Sequence, residues 1–154
     1  MTVHFVIPGL PMGKQSVRGG GGRAYTATKT RNYMKKAREE YLRQVGIAFP
    51  DNEPLEIGIV AYFQIPTSKP KKWKALMRSG DTPPVVKPDW DNIAKVVCDS
   101  IQPTKKGENI VAFKDDSRIV SGVVVKRYSD NPRVEVWIRE WRKDAWGPWW
   151  ENSL

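Results

Sequence analysis

The 154-residue chain reads as one α+β domain, a small mixed or antiparallel sheet of about four strands packed with two main helices. Three observations predict this. Apolar residues alternate over Leu55–Ile65, and β-rich runs over Thr2–Ile7, Arg118–Tyr128 and Arg133–Trp141 supply three further strands. Two other stretches, to about Val45 and from about Asp91, repeat their apolar residues at helical spacing. Strands and helices do not alternate regularly, so the layers are a sheet and its helices rather than a βα array. This length supports one domain with a proper core.

In chain order, the first strand ends where Pro8-Gly9-Leu10-Pro11 breaks it. The segment Met12–Arg18, four glycines from Gly19 to Gly22, and Arg23 make a cationic loop. The order of its Gly, Lys and Ser residues is not that of a Walker A loop. It reads either as a surface hairpin or as an arm that closes on a phosphate backbone through Lys14, Arg18 and Arg23. Thr26 or Thr28 is placed to cap the first helix, whose apolar stripe is Met34, Ala37, Tyr41 and Val45. Lys29, Arg31, Lys35, Lys36, Arg38 and Arg43 lie mostly off that stripe, as a solvated face or as phosphate contacts.

In Leu55–Ile65, the odd-numbered residues form one buried face, and Pro66 stops the strand. A short basic helix or loop follows, with Lys69, Lys71, Lys72, Lys74 and Arg78 around Trp73. Trp73 either pins that segment to the body or stacks on a base. Residues 102–109 form a loop after the second main helix, and Ser129-Asp130-Asn131-Pro132 reads as the turn of a hairpin joining the last two strands. Val134, Val136 and Ile138 are its inward set. The domain is expected to span residues 1–141, with 142–154 as a tryptophan-rich tail. Trp141, Trp146, Trp149 and Trp150 belong to that end of the chain, which is expected to cover the sheet or meet a second subunit, with base stacking the less favoured alternative.

Lys plus Arg number 26 against 17 Asp plus Glu, a net charge of +9, which points to a polyanionic partner such as nucleic acid. Cys98 is the only cysteine, so no intrachain disulfide forms, and its surroundings match no zinc or redox motif; a reduced, cytoplasmic setting follows. No apolar run approaches a membrane span, and the start of the chain lacks the basic and apolar regions of a secretory signal. His4 is assigned no role.

Against this cationic background the acids are concentrated at Lys87-Pro88-Asp89-Trp90-Asp91-Asn92-Ile93-Ala94-Lys95 and at Lys114-Asp115-Asp116-Ser117. Pro88 favours an extended arrival at Asp89, with the helix beginning around Asp91. Side chains two apart in extended backbone point the same way, so Asp89 and Asp91 converge. On the helix, Asp91, Lys95 and Asp99 fall at roughly 0°, 40° and 80°, and Ile93, Ala94, Val97 and Ile101 at roughly 200° to 300°. One face is core; the other is a charged stripe carrying Lys95 one turn above Asp91. An N-cap and a surface ion pair explain any one of these residues. They do not explain two acids flanking Trp90 followed by a second acidic pair. Clustered carboxylates without His or Cys suit a hard cation, Mg²⁺ or Mn²⁺, bound by Asp89, Asp91, Asp115 and Asp116.

These pieces, Lys87–Lys95 with its helix through Asp99, Lys114–Ile119 with its strand, and Pro11–Arg18 followed by Tyr25-Thr26, resemble the RusA family of Holliday-junction resolvases, in particular its phage and prophage branch. The resemblance covers most of the chain up to about Trp141. It implies a homodimeric, Mg²⁺-dependent endonuclease that cuts four-way DNA by paired nicks and needs no small-molecule cofactor. Asp89, Asp91 and Asp116 match the family's metal-binding acids, Asp115 its neighbouring acid and Lys95 its essential lysine. Trp90, the length of the 102–109 loop and the tryptophan tail depart from the family pattern. Two rivals stand beside this reading: a flap- or fork-specific nuclease using the same site, and a non-catalytic nucleic-acid-binding module that needs the basic segments but not the acids.

Overall fold

The structure, a computed structural model, describes residues 1–14, 16–18, 24–143 and 149–151. Its elements are β1 (Thr2–Pro8), β2 (Ser16–Arg18), β3 (Ala24–Thr26), α1 (Thr28–Gln44), β4 (Leu55–Gln64), α2 (Lys71–Ser79), α3 (Trp90–Ser100), a 3₁₀ turn (Asp116–Arg118), β5 (Ile119–Ser129) and β6 (Arg133–Glu140). β2 and β3 pair with each other, and the main sheet has the order β1-β6-β4-β5. The predicted α+β class with a four-stranded sheet is the observed one.

One predicted pairing is not. β5 and β6 are not hairpin partners: β4 lies between them, antiparallel to β6 and parallel to β5. β6 has both edges taken, by β1 on one side and β4 on the other. The tight link at Ser129–Pro132 is real, with the Ser129 hydroxyl accepting the Asn131 N–H at 3.1 Å, but it steps across the end of β4. The parallel β4–β5 pair is closed by the long excursion through α2 and α3, as parallel strands require.

The inner face of the sheet carries Val3, Phe5 and Ile7 of β1, Val134, Val136 and Ile138 of β6, and Leu55, Ile57, Ile59, Ala61 and Phe63 of β4, all buried. Tyr33, Ala37 and Tyr41 of α1 and Ile93, Val96 and Val97 of α3 close the core above them. α1 starts at Thr28, so the cap position falls to Ala27, which makes no side-chain cap bond, rather than to a threonine as expected.

β4 has a second buried face, against the expectation of one. Val60 packs with Trp137 and Trp150 on the outer side of the sheet. Gly58 makes this contact possible, because a Cβ there would run into the Trp150 ring. Trp150 stacks near Trp137 at 6.1 Å between ring centres and meets Trp149 edge-on at 5.7 Å. Arg139 lies over the Trp149 ring at 3.9 Å while pairing with buried Glu56 at 2.5 Å. Covered on both faces, β4 takes an interior place in the sheet, leaving β1 and β5 as the edges. Among the described residues no helix is long and apolar enough to cross a membrane.

Candidate active site

Two elements carry the acids. α3 begins at Trp90, one residue before the predicted start, with Asp89 extended at its N-cap position (φ −70°, ψ 152°). The Asp89 carboxylate makes no cap bond and instead accepts Lys87 Nζ at 2.5 Å. Asp91 sits in the first helical turn, where the positive end of the helix dipole favours a carboxylate. Asp89 and Asp91 line one open cleft of about 830 Å³ with Lys87 and Lys126. Lys126 is held there by donating to the Val86 carbonyl at 2.5 Å and by lying over the Phe63 ring.

The second element is the 3₁₀ turn. Asp115 caps it by accepting the Ser117 N–H at 2.9 Å, and its hydrogen bonds with Ser117 hold its carboxyl below the usual range. Arg118 ties the turn down, donating to the Glu53 carbonyl at 3.0 and 2.9 Å and to the Pro50 carbonyl at 2.5 Å. Asp116 is thereby presented to α3. It lines a cleft of about 360 Å³ with Trp90, Ala94, Lys95 and Cys98. Desolvation raises the Asp116 pKa and repulsion from Asp115 and Asp99 adds to it, while a hydrogen bond from its own backbone N–H and, to a smaller extent, Lys95 act against them. Cys98 is buried, which pushes its thiol up to about 12, with Asp116 and Asp99 contributing, so it stays neutral.

The acids therefore form a row rather than a ring. Asp91 lies one turn before Lys95 and Asp99 one turn after it, and Asp116 reaches in from the 3₁₀ turn. Trp90, 64% exposed, borders both clefts. The donor chemistry fits a hard divalent cation, since it is carboxylate oxygen throughout. The geometry is divided: Asp89 and Asp91 line one cleft and Asp116 the other, and among the described residues no three His, Cys, Asp or Glu side chains are drawn together into one cluster.

The predicted basic residues fall into different settings. Lys14 pairs with Asp99 at 2.8 Å, both side chains 19% exposed, and its backbone N–H reaches the Asn92 carbonyl at 3.0 Å. Gly13 permits that approach, because a Cβ there would meet Pro88 and Asn92 at 2.9 and 3.0 Å. Lys29 and Arg31 are exposed on the first turn of α1. Lys69, Lys71 and Lys72 are exposed, and Lys74 is half-buried, on and before α2, which packs beside β5. Trp73 is 50% exposed, and Met77 is the buried residue of that helix. Arg18 lies in β2; Arg23 lies outside the described residues. Sequence reasoning did not single out Gly13, Asn92, Arg118 or Lys126. Their partners are far away in the chain, so no local pattern marks them.

Fold and site together define a small α+β protein with a carboxylate row centred on one lysine. The profile of the family described as Endodeoxyribonuclease RusA matches residues 8–139, and the chain belongs to that family. Its nucleases are generally dependent on a divalent metal. The chain is also similar to the uncharacterised protein YqaN of Bacillus subtilis (strain 168), with 39% identity over 89 residues. That match spans 56% of this chain and 58% of YqaN.

Proposed function

We propose that this chain is a Mg²⁺-dependent endodeoxyribonuclease that resolves four-way DNA junctions by paired, symmetric nicks, acting as a homodimer in the bacterial cytoplasm and encoded by a phage or prophage. The observation that carries the reading is Lys95 at the centre of a carboxylate row, on a body of net charge +9, within a RusA-family fold. Residues 1–141 are taken as the nuclease domain and 142–154 as an appended tail; the family match ends at residue 139.

Asp89, Asp91 and Asp116 would hold the metal, with Asp115 beside them. When bound, a divalent ion supplies Lewis acidity and lowers the pKa of a coordinated water. The rest of the chemistry falls to the chain. The Lys95 ammonium neutralises negative charge as it grows on the scissile phosphate, and the N-terminal end of α3 adds its partial positive charge beside Asp89 and Asp91. Arg18, Arg23, Lys29, Arg31, Lys69, Lys71, Lys72 and Lys74 supply salt-sensitive affinity for the DNA backbone, and Lys14 serves the DNA path by position, paired with Asp99. A two-fold dimer presents the same site to symmetry-related strands of a two-fold junction.

The test is cleavage of a labelled synthetic four-way junction by native protein and Asp91→Asn, with and without Mg²⁺ or Mn²⁺. The expected result is symmetric nicking that needs both metal and Asp91, with the variant slower by about 10²-fold or more. Binding without cutting in either metal would leave only a binding module, and faster cutting of flaps or forks would reassign the substrate.

A further inference from the structure

Three adjoining clefts connect the acidic site to the cationic face of α1. The cleft of Asp89 and Asp91 shares Lys87 and Asp89 with a second, of about 610 Å³, floored by Gly13 and bordered by Lys14, Lys29 and Asn92. The second shares Lys14 with a third, of about 440 Å³, between α1 and the segment that follows α3.

Arg31, Lys35, Lys14 and Arg38 line this third cleft, opposed by Asp99 alone among acids. Two of the four cations are already committed. Lys14 neutralises Asp99, whose other oxygen accepts the Gln102 amide at 3.1 Å. Arg38 pairs with Glu108 and donates to the carbonyls of Ser100 at 3.0 Å and Gln102 at 2.6 Å. These two build the walls, fixing the loop after α3 against α1. Among the described residues, Arg31 and Lys35 have no comparable commitment. Arg31 bonds, among those residues, only to the Thr28 hydroxyl, at 3.4 Å, and Lys35 faces Glu39 at 3.9 Å with both side chains largely in water, a pair worth a few tenths of a kcal/mol at most. Standing at i and i+4, they present two positive charges about 5–6 Å apart at the level of Cβ. Met34 lies between the walls. A walled recess with two unspent cations suits a singly charged, diffuse anion that recurs along a polymer.

We propose that this recess is a subsite for backbone phosphate of the DNA strand that passes the acidic site, with Arg31 and Lys35 as contacts and Lys14 and Arg38 as positioning residues. The strand leaves the Asp89–Asp91 cleft over Gly13 and Lys29 and enters the recess. The proposal rests on the nuclease reading for its substrate, but its test reads binding, not cutting.

In an Asp91→Asn background, the protein and its Arg31→Ala/Lys35→Ala variant are titrated with four-way junctions at several salt concentrations. The junctions carry single uncharged methylphosphonates at successive positions on either side of the cut. The variant is expected to bind more weakly, with a salt slope shallower by about 1.8 for each protomer bound, at roughly 0.9 for each phosphate that is no longer neutralised. Methylphosphonates at one or two positions on one side of the cut should weaken the parent and leave the variant's affinity unchanged. Equal salt slopes, or equal sensitivity of the two proteins at every position, would overturn the subsite. A native protein that binds but fails to cut defeats the nuclease reading and leaves the binding result for the recess intact.

Discussion

At the scale of single residues, the adjacent acids Asp115 and Asp116 have diverged in duty. Asp115 spends its carboxylate on the Ser117 N–H, a cap that asparagine also makes. The Asp116 carboxylate does not cap the turn and shares a cleft with Lys95. Asp116→Asn is therefore expected to slow junction cleavage by about 10²-fold or more, and Asp115→Asn by clearly less, measured side by side at saturating DNA. Equal losses would return Asp115 to the centre of the site. Glu108 gives a second prediction. Hydrogen bonds from the Thr104 N–H and hydroxyl, and then from Arg38, lower its carboxyl from 4.5 to about 2. A carboxyl whose folded value is depressed stabilises the fold above its unfolded value and loses that contribution as pH falls through the folded one. Thermal melts should therefore show native protein losing more stability between pH 4.5 and about 2 than Glu108→Gln does.

At the scale of elements, the outer face of β4 is a two-part lock, Gly58 as notch and Trp150 as key. A Cβ at Gly58 would overlap the Trp150 ring, so Gly58→Ala is expected to cost about 1–3 kcal/mol. In a strand, alanine is otherwise preferred to glycine by roughly 0.5–1 kcal/mol. With Trp150→Ala in place, the same Gly58→Ala change should become neutral or stabilising. Denaturant titration of the four proteins of this cycle checks the sign reversal. An unchanged cost in both backgrounds would mean that the tail does not rest on Gly58. Side-chain packing positions the site in the same way: α3 is held through Ile93, Val96 and Val97, and the 3₁₀ turn through Arg118.

For the whole molecule, charge and symmetry govern what the sites do. A body of net charge +9 that also carries an acidic row must hold DNA by its flanks while the row works on one phosphate. Native protein is expected to lose junction affinity linearly with log salt, with a slope of about −0.9 per phosphate neutralised. Analytical ultracentrifugation with junction DNA should show two protein chains per junction. A one-to-one complex that cuts both strands would remove the two-fold mechanism.

The sequence by itself determined the class of fold, the helix that carries Asp91 and Lys95, and the identity of the candidate acids. Each of these is written in local periodicity: alternation fixes a strand's inner face, and 3.6-residue spacing puts Ile93 and Val97 opposite Asp91. Tertiary structure alone decided which strands pair. β4 inserts between β5 and β6 because both of its faces find cover, one from the helices and one from Trp137 and Trp150, and a turn signal carries no information about a strand far away in the chain. It also decided how the acids divide. Asp89 and Asp91 line one cleft at the start of α3, and Arg118 holds the turn that places Asp116 in the cleft of Lys95. Long-range contacts set these distances, and side chains such as Arg118 and Lys126, like the bare backbone at Gly13, become meaningful only once their distant partners are in place.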